Sequence, residues 1–104
     1  MARFDIYPNP IRADRGLFPY VLEIQSDLLY QFVERVCVPL ASGNTVPGMT
    51  DRFNPHIVVN DTPCRLHPLG ITVFLSSELR RPVATAKPQA LDIDTALDML
   101  LRGY

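Results

Sequence analysis

The sequence predicts an α+β fold, or small barrel: several short antiparallel strands followed by a single helix. Three observations carry this. Apolar residues in the first part of the chain alternate in short runs with the period of two that marks half-buried strands. Ten prolines in 104 residues, against a usual share of about 5 %, fall between those runs rather than in a cluster. Prolines so placed punctuate short strands and argue against a helical bundle. From Leu91 to Tyr104 the period changes to 3.6, with Ile93, Leu97, Leu100 and Leu101 on one stripe.

Each element can be justified in order. Phe4 and Ile6 alternate with Arg3, Asp5 and Tyr7, a half-buried strand. Pro8 to Gly16 carries turn formers at both ends and reads as an exposed hairpin loop. From Phe18 to Gln25 a second strand places Phe18, Tyr20, Leu22 and Ile24 on one face, and Ser26-Asp27 stops it. Leu28 to Phe32 is an apolar connection. Arg35 to Leu40 is a third strand, and Ser42 to Thr50 a loop. His56–Asn60 and Cys64–His67 form a hairpin across Asp61-Thr62-Pro63, and Gly70 to Leu75 is apolar enough for a central strand buried on both faces. Leu79 to Ala84 adds a last strand. Asp92 or Asp94 caps the helix, and Gly103 stops it.

The totals bound the function. The length suits one domain, residues 1–104. Net charge is −1, so the totals hold no footprint for nucleic acid or an anionic membrane. No run spans a bilayer and Met1 to Asp5 lacks a signal-peptide core, so the expectation is a cytoplasmic protein. Tyr7, Tyr20, Phe32 and Phe74 exceed what one short sheet hides, which points to a symmetric dimer.

Chemistry finds little support. His56 and His67, on adjacent strands by this reading, have only Cys64 and Asp61 nearby and fit no metal-ligand spacing. Cys37 and Cys64 sit in apolar contexts as small buried hydrophobes, and a disulfide between them cannot be inferred from sequence. No nucleophile elbow exists around Ser26, Ser42, Ser76 or Ser77, and the glycines are too scattered to cradle a phosphate. Asp92, Asp94 and Asp98 lie near one helix face without a partner histidine, and Arg80-Arg81 reads as a solvated strand end. No cofactor, metal or catalytic residue is expected.

Two segments nevertheless form a recognisable pair. Gln25-Ser26-Asp27-Leu28-Leu29 and Arg35-Val36-Cys37-Val38-Pro39-Leu40-Ala41 resemble characteristic pieces of the CcdB toxin family of toxin–antitoxin modules. Pro55-His56-Ile57-Val58-Val59 is similar to that family's next strand, and Ile93 to Tyr104 resembles its terminal helix. The resemblance runs in order along essentially the whole chain. It implies a homodimer whose subunit has about five strands in an antiparallel sheet, a smaller second sheet and a C-terminal helix. It also implies a non-enzymatic toxin that binds the DNA gyrase A subunit, traps gyrase on cleaved DNA and is neutralised by a CcdA-like antitoxin. Nucleic acid is then met only through gyrase or the antitoxin.

Carried over by position, the gyrase contact comprises Arg102, Gly103 and Tyr104, with Leu101 and Asp98 one turn back; Leu28, next to Gln25-Ser26-Asp27, also matches a contacting position. The loops Asn9 to Arg15 and Ser42 to Val46 match regions bordering the antitoxin groove. One departure stands out: the family has a Trp where this chain has Arg102, and this chain has no Trp. An arginine facing a gyrase arginine is repulsive unless solvent or a carboxylate intervenes, although Tyr104 offers an aromatic face two residues later. Retained gyrase binding is the expectation. The alternatives are a ribonuclease like the MazF and Kid toxins, which share this general fold, and a non-toxic protein that keeps only dimer and antitoxin binding.

Overall fold

Seven strands and one α-helix follow one another in the computed structural model, which describes residues 2–43 and 46–103. The strands are β1 (Asp5–Pro8), β2 (Tyr20–Glu23), β3 (Glu34–Ser42), β4 (His56–Val59), β5 (Thr62–Leu66), β6 (Thr72–Leu75) and β7 (Ala84–Thr85), and α1 spans Ala90–Arg102. Every pairing is antiparallel, in the order β4-β5-β3-β2-β1-β7, with β6 joined to β3 alone. Asn60 Nδ2 donates to Val83 O at 3.2 Å, so the β4–β5 tip reaches the segment leading into β7. The sheet therefore nearly closes into a barrel, and the α+β small-barrel expectation holds.

The sheet branches at β3. This nine-residue strand pairs with β6 through Glu34 to Cys37 and with β5 through Leu40 to Ser42. Period-two alternation then builds two cores. Ile6, Leu22, Val38, Leu40, Ile57, Val59 and Leu66 meet Ile93, Ala96 and Leu97 of α1. Their chain neighbours Tyr7, Val21 and Cys37 point the other way and pack with Phe74 and Leu79.

Several expectations are corrected. The run from Gly70 to Leu75 is no central strand. Pro68–Gly70 is a 3-10 turn, and β6 begins only at Thr72 and lies at a sheet edge. Phe74 is buried, but Val73 and Leu75 are 57 % and 49 % exposed. Between Leu79 and Ala84 only Ala84 joins a strand, although Leu79 is buried. The hairpin turn is tighter than expected: Asn60 and Asp61 take φ of 48° and 69°, the left-handed pair of a two-residue turn, so β5 starts at Thr62. Asn and Asp tolerate that region.

The helix is shifted by one or two residues. Gln89 occupies its N-cap without a side-chain bond, while Asp92 lies in the first turn and Asp94 pairs elsewhere. Its buried stripe is Ile93, Ala96 and Leu97; Leu100 is half-buried and Leu101 exposed. Of the four large aromatics held to exceed one sheet's capacity, Tyr7 and Phe74 are buried and Tyr20 packs partly buried against the main core. Only Phe32 remains exposed.

Candidate functional site

The last turn of α1 gathers four of the six expected contact residues. Gly103 adopts φ of 85° and donates its N–H to Asp98 O and Met99 O, which ends the helix by a left-handed cap. Leu101 is 74 % exposed, a large apolar side chain held in solvent by a helix whose other face is buried. Arg102 Nε lies 3.8 Å from Asp98 Oδ1, an i,i+4 pair on an open surface. The carboxylate that would relieve repulsion between Arg102 and another arginine is thus supplied from within the helix. Tyr104 lies outside the described residues.

Leu28 is positioned by a different element. After β2, Ser26 Oγ accepts from Leu28 N at 3.2 Å and starts a 3-10 turn, Asp27–Leu29. Leu28 on this turn is 84 % exposed. Arg3 fastens the turn to the helix: its backbone N–H donates to Asp27 Oδ1, its Nε to Ile24 O and its Nη2 to Asp94 Oδ1, at 2.8, 2.9 and 2.8 Å. Its guanidinium also lies 4.4 Å from the centre of the Phe4 ring. Asp94 precedes Arg102 by two turns, roughly 12 Å of helix rise. The clamp therefore ties the turn that carries Leu28 to the first half of α1, while residues 98–103 form the other end.

An apolar edge escaped the sequence reading. Tyr30, Phe32, Val33, Val73 and Leu75 are all exposed along β6 and the segment entering β3. Arg35 holds that segment from beneath by donating to the carbonyls of Tyr30, Phe32 and Glu34. Its Nε sits 3.9 Å from Glu23 Oε2, and both side chains are buried. Burial raises the Glu23 pKa above its ordinary value, although Arg35 pulls it down. The same burial pushes the Cys37 thiol up to about 12, so it is neutral. The edge's signal in the sequence is the apolar connection from Leu28 to Phe32 and the run at Ile71, Val73 and Leu75, which on apolarity alone suggests a strand buried on both faces rather than an exposed edge.

The histidines do not form a shared site. His56 Nε2 lies 3.3 Å from Asp51 Oδ1, and Arg65 donates to the same oxygen at 2.9 Å. The cleft beside them holds Asp51 and Asp92 with one arginine, Arg52. Carboxylates on two sides oppose an approaching phosphodiester, so this geometry does not favour RNA cleavage. His67 follows β5, with its ring stacked on Phe18 at a 5.3 Å centroid distance. Cys37 and Cys64 are buried free thiols belonging to opposite cores. Among the described residues no group of three or more His, Cys, Asp or Glu could hold a metal ion, and no helix is long and apolar enough to cross a membrane.

A protein-family model described as "CcdB protein" covers residues 3–103. No curated protein matches the chain.

Proposed function

The chain belongs to the CcdB family of toxin–antitoxin toxins, and from that premise we propose that it acts by binding the DNA gyrase A subunit and trapping gyrase on cleaved DNA. One observation carries the reading: a docked helix ends in an exposed Leu101–Arg102–Gly103 segment whose added charge is matched by Asp98. A poison that acts by wedging needs a stiff protrusion and an apolar contact rather than a proton shuttle. Leu101 and Leu28 supply exposed apolar contact area, while Arg102 and Tyr104 are of the residue types that dominate interfaces.

In this proposal the active species is a homodimer. Tyr30, Phe32, Val33, Val73 and Leu75 form an apolar strip along a sheet edge, the sort of surface that a second copy would cover. A CcdA-like antitoxin is the proposed neutralising partner, folding from a disordered segment along the dimer.

Expression in a bacterium tests the reading. The full chain is expected to arrest growth and to accumulate gyrase–DNA cleavage complexes. Removing Arg102 to Tyr104 is expected to abolish both while the purified variant keeps its circular dichroism and melting curve. RNA fragmentation in place of cleavage complexes would establish the ribonuclease alternative, and unimpaired growth the non-toxic one. Unfolding of the truncated chain would show that the tail is structural.

A further inference from the structure

Arg3 joins the two elements that carry the proposed gyrase contact, and the chain accepts backbone strain to place it. Phe4, a bulky residue, takes φ of 74°, in the region that favours glycine. The tight turn around it is closed by Asp5 N–H on Ala2 O and by Ala2 N–H on Asp5 Oδ2, both at 3.0 Å. Phe4 is kept there by a ring buried in the main core and by its N–H, which donates to Glu23 O at 2.7 Å. Strain that the surroundings over-determine clusters where aim matters to function. What this turn aims is Arg3, whose guanidinium lies over the Phe4 ring.

Stability does not account for the clamp. The Arg3 and Asp94 side chains are 31 % and 47 % exposed, and an ion pair so open to solvent adds little to folding. A planar guanidinium can instead hold two acceptors in fixed relation, which a point charge cannot. Here they are Ile24 O, just after β2, and Asp94 Oδ1 on α1. Asp27 adds a third tie by accepting the Arg3 backbone N–H, and the next residue is the exposed Leu28. An apolar contact residue binds well when its backbone is ordered beforehand, because ordering it on binding subtracts from affinity. We propose that Arg3 is a positioning residue for the gyrase contact, presenting Leu28 in fixed relation to the tail of α1. This role rests on the gyrase reading above. It gives Arg3 no contact with gyrase, since its effect passes through Asp94 and Asp27 to Leu28.

The test combines backbone 15N relaxation of the protein alone with titration against purified gyrase A subunit. Wild type, Arg3→Ala, Asp94→Ala and the double variant are compared. The order parameter of the Leu28 amide is expected to fall from about 0.8 toward about 0.6 in each variant, while residues 98–102 and the melting curve stay unchanged. Gyrase affinity should drop about tenfold in either single variant, an effect of about 1.4 kcal/mol, and no further in the double. Leu28→Ala should then cost little once Arg3→Ala is present. If Arg3→Ala unfolds, Asp94→Ala gives the same readings from the half-exposed helix face. A wild-type chain that ignores gyrase A would sink the gyrase reading and this role with it. Wild-type binding matched by both variants, or a Leu28 amide equally ordered in them, would overturn the positioning role alone. So would affinity lost in Arg3→Ala but kept in Asp94→Ala, the mark of a direct contact.

Discussion

Among the described residues His67 Nδ1 is buried without a hydrogen-bond partner, and burial lowers the imidazole pKa below its usual value of about 6.5. The sign of the resulting pH dependence follows from proton counting. Just below pH 6.5 the unfolded chain protonates this ring while the folded one does not, so folding stability falls as pH drops through that window. The wild-type melting temperature is therefore expected to decline between about pH 7 and pH 5.5. His67→Phe preserves a ring to stack on Phe18 and should flatten that decline. An equal slope in both proteins would clear His67 of the effect. At this scale much was readable beforehand. Cys37 lies between Val36 and Val38 and Cys64 in the strand-like run that ends at Leu66; both are indeed buried, and Gly103 ends the helix as placed. The Asp98–Arg102 pair lies at readable i,i+4 spacing, yet its value emerges only because both side chains sit on the same open turn as Leu101.

Elements were legible where one period operates undisturbed. The helix keeps its 3.6-residue repeat, so its existence and its glycine stop were clear, but Ala96 rather than Leu101 completes its buried stripe. Hydrophobicity alone does not report which small residue faces the core. Gly103→Ala forces a side chain into φ of 85° and should cost about 1 kcal/mol, a melting shift of roughly 4–8 °C for a domain of this size. If the tail is the gyrase contact, this variant should lose more gyrase binding than that stability loss explains. Affinity unchanged in the variant would show that the cap does not aim the tail. β6 was misread for a physical reason: a continuous apolar run says that its faces need cover, not that the same chain supplies it.

At the scale of the molecule, the branching at β3 could not be read from periodicity, because pairing partners along one long strand are set by tertiary contacts. Branching leaves β6 at an edge with Val73 and Leu75 outward, next to Tyr30, Phe32 and Val33. Val73→Glu puts a charge on that strip without touching either core. It is expected to shift sedimentation from dimer to monomer while leaving the far-ultraviolet spectrum intact. Persistence of the dimer would place the subunit contact elsewhere. The candidate site was legible as a list of positions in the resemblance, and partly illegible as a surface. Nothing in the order of residues tells that Arg3 ties the turn carrying Leu28 to α1.

The Arg3 clamp joins partners 91 positions apart, and β1 likewise pairs with β7. During translation neither contact can form until the ribosome has passed β7 and Asp94, because chains emerge amino end first. Nascent fragments therefore lack both the closing strand and the fastening that ties the Leu28 turn to α1. The surface proposed to meet gyrase is therefore fastened only late in synthesis, once Asp94 has emerged to take the Arg3 guanidinium.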